Sequence, residues 1–390
     1  MSYERPYEGL KVVDLSQGLA GPYCGMLMAQ QGADVIKIEP QGGDWARLIG
    51  GVFGDHTAYS IVANTGKRAL AMNLKSEPSG EIVDKLIAQA DVFIEGYRPG
   101  VAERLGYGYE RLRALNPGLI YVSVSGFGQC GPMRDRPAMD PMLQAFSGFV
   151  AENTGTDGTP HHTPVSYFDM STGLYAQQAL AAALYARRDG AEGRKIEVSL
   201  LEAAASIQAV RLLSGYRTGP RRASTAPSGT FQTSDGHIQI NIVRDREFKV
   251  FCDLLKLDDL WANEKYHTIA GRLEDIDFLY DYVRRFTASW KTAELSDLLS
   301  KAGLQNEVVQ TYRELVHHPQ AEAVGVFSWL QQAGANDPWP VPNIPGLPAF
   351  VPGDERAQSP TVGQHTRQIL MELGYGNDQI DTLYADGVVA

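Results

Sequence analysis

The stretch KVVDLSQGLAGPYCGMLMAQQGADVIKIE, residues 11–39, contains a complete strand–helix–strand unit. Apolar runs at residues 11–16 and 35–39 predict two buried strands, and Pro22 fits the first turn of the helix between them. The turn after the first strand lacks G-x-G-x-x-G, so the usual dinucleotide-binding fingerprint is missing. The backbone amides of Leu19–Gly21 can still bind an anionic or amide-bearing ligand at the helix start. This unit predicts an open α/β sheet and disfavours a nicotinamide enzyme.

The alternation of strands and helices continues through the first part of the chain. Further apolar runs typical of buried strands occupy residues 69–74, 91–95, 119–123 and 195–200. Strands that alternate with helices predict a parallel sheet covered on both faces, with ligands bound beyond the carboxyl ends of the strands. We expect this large domain to span residues 1–220 and to end in a helix over 201–214.

From residue 221 the pattern changes. Residues 230–233 and 237–242 alternate polar and apolar side chains across a Ser-Asp-Gly turn, which predicts a β-hairpin, and helical stretches follow it. We expect a smaller α+β domain over residues 221–330. Residues 331–390 begin with a proline-dense passage, which predicts a semi-rigid extended strap, and end in helices that return to the large domain.

Composition limits the class of protein. A chain of 390 residues with 44% apolar content suits two packed domains, and a net charge of −11 disfavours nucleic acid as a partner. Cys24, Cys130 and Cys252 are odd in number and far apart, which favours reduced thiols in a cytoplasmic protein. No apolar run is long enough to span a membrane, and the first residues lack a secretory signal, so we expect no membrane partner.

Basic residues recur near the expected strand ends of this acidic chain. Each one alone is better explained as a solvated surface charge, but a phosphorylated ligand would need such a group of cations, and their shared placement favours a ligand site. The residues are Lys37, Lys67, Arg68, Lys75, Arg98 and Arg104.

The stretch VSYFDMSTG, residues 165–173, places Asp169 just before an alanine-rich segment that predicts a helix from Ser171 to about Arg188. One interpretation is that Asp169 only caps this helix, since aspartate is a preferred N-cap residue. The other is a nucleophile. The positive end of the helix dipole keeps the carboxylate ionised, and apolar neighbours strip its water, so that it can attack an activated carbonyl to form a mixed anhydride.

Several other chemistries are disfavoured by missing motifs. The chain has no H-E-x-x-H, no P-loop and no G-x-S-x-G. The histidine pairs His161-His162 and His317-His318 are adjacent in sequence, so both members cannot easily face one metal ion. A carboxylate nucleophile beside a basic ligand cleft is the hypothesis that remains, with no metal or redox cofactor.

A series of ordered motifs makes a family resemblance specific. The sequence resembles the family III CoA-transferases, also called the CaiB/BaiF family, which include formyl-CoA and carnitine CoA-transferases. The resemblance implies a Rossmann-like large domain built from both ends of the chain, a smaller domain between them, and an interlocked homodimer. The matching segments are LAGP at 19–22, GADVIKIE at 32–39, Asn64 with Lys67-Arg68, ADV at 90–92 through RPG at 98–100, GFGQCGP at 126–132, Phe168-Asp169, GQHT at 363–366 and ELG at 372–374.

The resemblance also implies a reaction and a site. CoA moves from an acyl-CoA donor to a small carboxylic acid acceptor, and Asp169 matches the family's nucleophile, which forms an aspartyl anhydride and then an aspartyl-CoA thioester. Pro40 and Gly96 depart from the family pattern at two of its CoA contacts. Positions that match CoA contacts are Leu19, Ala20, Met72, Asn73, Leu74, Lys75, Gly96, Tyr97, Arg98, Arg104 and Arg136.

Two alternatives remain open at this point. An α-methylacyl-CoA racemase would use a histidine and an aspartate on the same fold, but Met139 occupies the position expected for the histidine, and methionine carries no proton. A displaced base such as His161 or His162 would be needed instead. A non-catalytic CoA-binding protein would lack the nucleophile, whereas Asp169 is present.

Overall fold

The computed structural model describes residues 4–155, 158–188, 190, 192–219 and 223–390. The chain divides into two compact units. Met1–Arg217 and Glu322–Ala390 form the first, so that both ends of the chain belong to it, and Thr218–Ala321 forms the second. No helix in the described part of the chain combines the length and the apolar character needed to cross a bilayer.

A six-stranded parallel sheet forms the centre of the first unit. Its order is β3-β2-β1-β4-β5-β6, which is the Rossmann order. The order reverses between β1 and β4, and the carboxyl ends of these two strands border the crevice where open α/β sheets bind ligands. The strands are β1 Lys11–Asp14, β2 Asp34–Glu39, β3 Arg68–Ala71, β4 Val92–Glu95, β5 Ile120–Ser125 and β6 Lys195–Ser199.

Helices of the first unit cover both faces of the sheet. The helices are α1 Ala20–Gln30, α2 Ala58–Asn64, α3 Glu77–Ile87, α4 Val101–Arg104, α5 Tyr109–Leu115, α6 Asp140–Phe146, α7 Phe149–Glu152, α8 Tyr167–Arg187, α9 Leu200–Ile207, α10 Ala209–Thr218, α18 Thr366–Glu372 and α19 Asn377–Ala385. Apolar side chains of α1, α8 and α9 form the core on one face. Those of α3, α5, α18 and α19 form the core on the other.

The close approach of α8 to α1 depends on a glycine. A Cβ added at Gly173 would lie 2.7 Å from the carbonyl oxygen of Ala20 and 2.9 Å from the Tyr23 ring. Any larger residue would therefore push the two helices apart. This contact brings the first turn of α8 beside the amino end of α1, where Leu19 and Ala20 lie.

The second unit contains a three-stranded antiparallel sheet of order β7-β8-β9 and its own apolar core. The hairpin β7–β8 lies where the sequence predicts one, but β9 was missed because its residues are mostly polar. The elements are β7 Ser228–Gln232, β8 His237–Asn241, α11 Asp245–Leu255, α12 Asp258–Trp261, α13 Ile269–Glu274, α14 Ile276–Thr287, α15 Thr292–Lys301, β9 Gln305–Val308, α16 Tyr312–Val316 and α17 Pro319–Val324.

One expectation about local structure is refined by the structure, and another is wrong. The proline-dense strap contains a strand, β11 Trp339–Pro342, which pairs antiparallel with β10 Phe327–Leu330. Pro340 and Pro342 fit there because alternate residues of a two-stranded pair need no ladder hydrogen bond from their nitrogen. The single helix expected over 201–214 is two helices, because α9 ends before Gln208 and α10 begins after it.

Candidate active site

A cleft with an empty volume of about 970 Å³ opens at the carboxyl ends of the central strands. Its walls come from the turn after β1, the turn after β4, the end of β5 with the segment that follows it, and the first turn of α8. The lining residues include Gln17, Leu19–Gly21, Trp45, Gly96–Pro99, Val124–Gly126, Arg134, Arg136, Ala138, Met139, Asp169 and Leu200.

Asp169 lies in the first turn of α8, which begins at Tyr167, earlier than the sequence predicts. It does not cap the helix. The buried Asp140 does so from α6, since its Oδ2 accepts the backbone N–H of Phe168 at 2.6 Å and that of Asp169 at 3.0 Å. Gln144 Nε2 holds the other oxygen of Asp140 at 2.6 Å. The backbone of Asp169 is therefore fixed, and its side chain is left to face the cleft.

The protonation state of Asp169 differs from the expectation that the helix dipole keeps it ionised. Burial, and then the nearby carboxylate of Asp140, raises the pKa of Asp169 to about 7. No hydrogen bond from the described residues reaches its carboxyl oxygens. A carboxylate with little solvation and no hydrogen-bond donor is basic and reactive, which suits a nucleophile better than a structural cap.

A second cleft of about 850 Å³ continues from the first, because Gln17 and Tyr97 line both. It brings Met72–Lys75 together with residues 40–42, and Lys75 is exposed there. The two clefts therefore contain ten of the eleven positions that resemblance assigns to CoA. Arg104 lies exposed at the end of α4 and lines neither cleft.

Three of the cations expected near a phosphorylated ligand are engaged elsewhere, so that prediction is wrong for them. Lys37 is buried inside β2 and pairs with Asp44 at 3.0 Å. Lys67 is buried and pairs with Asp14 at 2.7 Å. Arg68 is the first residue of β3. It therefore lies at the amino ends of the strands, whereas the clefts lie at their carboxyl ends.

The buried ion pairs shape the cleft instead of binding a ligand. Lys37 Nζ donates to the carbonyl oxygen of Ser16, and the Asp44 carboxylate accepts the backbone N–H of Gly18 at 3.0 Å. Lys67 Nζ donates to the Pro22 carbonyl oxygen in the first turn of α1 at 2.7 Å. These bonds fix the turn between β1 and α1, which carries the cleft residues Gln17 and Leu19.

A third buried carboxylate supports the glycine-rich segment after β5. Glu95 accepts the backbone N–H of Tyr97 at 2.8 Å and the hydroxyl of Ser123. Ser123 in turn accepts Gln129 Nε2 at 2.8 Å. Burial raises the pKa of Glu95 to about 7. This chain of hydrogen bonds ties residues 126–132 to the strand ends beside the cleft.

Sequence reasoning gave no role to several residues that line the first cleft, namely Gln17, Trp45 and Arg134. Gln17 lies three residues after the end of β1, at the switch point of the sheet, so strand order would have pointed to it. Met139 lines the first cleft at the position where the racemase alternative would require a histidine. His161 and His162, the possible substitutes, are exposed and do not line this cleft.

Comparison with known proteins identifies the family. The model of CoA-transferase family III matches residues 7–366. A succinate–glutarate CoA-transferase from Agrobacterium fabrum is 32% identical over 386 residues, which cover 94% of this chain and 96% of that protein. An acetyl-CoA:oxalate CoA-transferase from Acetobacter aceti is 32% identical over 361 residues, covering 88% and 93%. A CaiB/BaiF family crystal structure from Brucella suis has a TM-score of 0.86 and 31% identity, covering 95% and 100%.

The chain belongs to CoA-transferase family III. Its α/β fold with a six-stranded parallel sheet matches the CaiB/BaiF structure, so the resemblance found in the sequence is confirmed. Within that family it is an enzyme, a CoA-transferase, whose substrates are CoA thioesters.

Proposed function

We propose that this enzyme moves CoA between carboxylic acids through covalent intermediates on Asp169. The Asp169 carboxylate attacks the thioester carbonyl of the donor, forms an aspartyl–acyl anhydride and expels the CoA thiolate. The thiolate then attacks the aspartyl carbonyl, which gives an aspartyl-CoA thioester and releases the donor acid. The acceptor carboxylate displaces CoA from this thioester to form a new anhydride. Attack of the thiolate on its acyl carbonyl yields the new acyl-CoA and free Asp169.

The observation that supports this mechanism best is the state of the Asp169 carboxyl. It faces a cleft, receives no hydrogen bond from the described residues, and is attached to a backbone fixed by Asp140. A thiolate is a good leaving group and an anhydride keeps the acyl group activated, so the sequence of steps needs no other group to carry the acyl chain. Poor solvation of the site also limits hydrolysis of both intermediates.

The two clefts supply a path for coenzyme A that ends at Asp169. We place the thioester and pantetheine arm in the first cleft, along Leu19, Ala20 and Gly96, and the nucleotide in the second, along residues 72–75. Lys75 lies where it can meet a phosphate group, and Arg98 and Arg136 line the first cleft. Arg104, exposed next to Leu105 of the second cleft, is the remaining proposed phosphate contact.

Small carboxylic acids are the proposed acceptors. The relatives from Agrobacterium fabrum and Acetobacter aceti are named for transfer involving succinate, glutarate and oxalate. These names support a compact acid as the second substrate of this chain.

We also propose that the enzyme is a homodimer, as the family resemblance implies. Helix α10 has no buried residue, and it exposes large apolar side chains, including Val210 and Tyr216 at 86% and 87%. A helix with this much exposed apolar surface is typical of an interface with another chain. Light scattering after size-exclusion chromatography should give about twice the chain mass of 42.6 kDa.

Trapping of the covalent intermediate tests the proposed mechanism. The protein is incubated with a panel of acyl-CoAs, treated with hydroxylamine or borohydride, digested and analysed by peptide mass spectrometry. We expect modification of Asp169 with a productive donor and none in Asp169→Ala. Asp297→Asn, which changes an exposed aspartate of α15, is the control and should be labelled like the wild type. Full CoA exchange by Asp169→Ala would refute the proposal.

A further inference from the structure

The first cleft contains more positive charge than its own acidic groups can balance. Arg98, Arg134 and Arg136 line it, and Asp169 is the acidic side chain among its lining residues. Arg134 Nε lies 3.5 Å from the exposed carboxylate of Asp135, and Arg98 reaches only the Asp135 carbonyl oxygen, also at 3.5 Å. Such long contacts hold a guanidinium weakly. These cations are therefore available to an anionic ligand.

The positive charge is set apart from the nucleophile. Among the described residues, no ion pair joins Arg98, Arg134 or Arg136 to Asp169, so none of these guanidinium groups lies within 4.0 Å of its carboxyl oxygens. An anion bound by these arginines consequently lies at a distance from the Asp169 carboxyl.

The surface beside these arginines is apolar. Ala138 and Met139 follow Arg136 in the chain and line the same cleft, as does Leu200 at the start of α9. Methylene groups can lie along such a wall without loss of hydrogen bonds. The cleft therefore presents, in one space, a nucleophile for a carbonyl group, an apolar wall and a cation at a distance.

From this arrangement we propose that the acids exchanged by this enzyme are dicarboxylic acids and that Arg134 binds the distal carboxylate. The inference rests on the CoA-transferase mechanism proposed above and adds the substrate class. One carboxyl group reacts at Asp169, the carbon chain lies along Ala138 and Met139, and the second carboxylate pairs with the guanidinium. A monocarboxylic acid would leave this guanidinium without a partner.

Arg134 is chosen because the other two arginines have a different expected ligand. Resemblance assigns Arg98 and Arg136 to coenzyme A, and no CoA contact is assigned to Arg134. The turn that carries it is fixed locally, because its backbone N–H donates to the Gly131 carbonyl oxygen at 3.3 Å and Gln129 bonds to Ser123. A guanidinium on a supported turn can select a carboxylate by geometry as well as by charge.

The experiment compares acids of equal chain length. With acetyl-CoA and succinyl-CoA as donors, kcat/KM is measured for succinate, glutarate and adipate and for butanoate, pentanoate and hexanoate. Wild type, Arg134→Met and Arg134→Lys are assayed. Arg113→Met is the matched control, because Arg113 is 45% exposed against 44% for Arg134, also lies beside an acidic residue, and lines neither cleft.

We expect the wild type to favour dicarboxylates, and Arg134→Met to reduce the ratio of dicarboxylate to monocarboxylate kcat/KM by about 10- to 100-fold. Arg134→Lys should retain part of the preference, and Arg113→Met all of it. A wild type without preference would overturn the inference. So would an equal loss for both acid classes with a raised KM for both donors, since Arg134 would then bind CoA. Absence of both transfer and Asp169 labelling would instead remove the proposed function itself.

Discussion

The first unit contains two groups of charged residues near the same strand ends, and they differ in how their charges are compensated. In the buried network, Lys37 pairs with Asp44 and Lys67 with Asp14, all four without solvent contact. In the cleft, the side-chain carboxylate of Asp169 has neither an ion pair nor a hydrogen bond from the described residues, and the guanidinium groups of Arg98 and Arg134 have only long contacts.

The difference separates charged residues that stabilise the fold from charged residues that are available to a substrate. The charges of the buried network compensate one another. Their lysines also donate hydrogen bonds to the backbone of the turn after β1, so they stabilise the protein and do not bind a ligand. An unpaired, poorly solvated carboxylate destabilises the fold and has reactivity to offer a substrate. The comparison predicts opposite results for substitutions in the two groups: loss of activity without loss of stability in the cleft, and loss of stability in the network.

The largest effect is expected from Asp169→Asn. Removal of the proposed nucleophile should lower kcat/KM by at least about 10⁴-fold, since Asp169 is the only carboxylate among the described residues that line the first cleft. Activity is measured by chromatographic separation of the acyl-CoA product from the donor. A loss smaller than tenfold would make Asp169 a structural residue and remove the contrast with the network.

The same variant should be at least as stable as the wild type. The pKa of Asp169 is raised to about 7 in the folded protein from the ordinary 3.8 of an aspartate, so folding favours the protonated form and the wild type loses stability as pH rises between these values. Asparagine has no such loss. The difference in thermal midpoint should therefore favour Asp169→Asn at pH 8 and shrink towards pH 4, and a less stable variant at pH 8 would contradict this account.

The next effect concerns the buried network. Burial alone would raise the pKa of Asp14, but Lys67 and Lys37 outweigh it and hold the pKa below its usual value. Asp14→Asn leaves Lys67 buried without its counter-charge and should cost about 3–5 kcal/mol of unfolding free energy, measured by urea denaturation. In the double variant Asp14→Asn/Lys67→Met the loss should be smaller than the sum of the two single losses. Strict additivity would mean that the pair is not coupled.

Sequence alone predicted the strands of the sheet better than the partners of the charged residues. Apolar runs alternating with helices located the six parallel strands, because burial on both faces leaves a local pattern in the sequence. Ion pairing leaves no such pattern. Lys67 meets Asp14 across 53 positions, and Arg68 meets Glu372 across 304. The expectation that Lys37, Lys67 and Arg68 face a ligand failed for this reason.

The site itself was partly predictable. Asp169 was singled out as a candidate because it lies between apolar residues before a long helix, and the strand-end positions 72–75 and 96–98, which line the clefts, follow from the rule for open sheets. The cap from Asp140 could not be predicted, since it comes from another helix. Arg134 was also missed, because a charge on a glycine-rich segment has no periodicity to place it.

The pH dependence of the rate sharpens the contrast within the cleft. The proposed nucleophile must be deprotonated, so kcat/KM should fall about tenfold per pH unit below about 7, the raised pKa of Asp169 in the free enzyme. The Asp140 carboxylate is one of the two causes of the raised pKa of Asp169. The substitution Asp140→Asn should therefore move the midpoint of the pH profile to a lower pH. Glu95, whose pKa is also raised to about 7, is the competing assignment. If the midpoint of the pH profile of kcat/KM moves in Glu95→Gln, the profile reports the titration of Glu95 and not that of Asp169.

The smallest effect should come from Arg68, the charged residue that belongs to neither group. It pairs with Asp34 at 2.6 Å and Glu372 at 2.7 Å, and both carboxylates are well exposed, so water and salt screen the attraction. Arg68→Met should cost about 0–1 kcal/mol in urea denaturation, and less as salt is added. It should leave the KM for acyl-CoA unchanged, because Arg68 lies at the amino ends of the strands, away from both clefts. A raised KM for acyl-CoA in Arg68→Met would instead support the first prediction, that Arg68 binds the ligand.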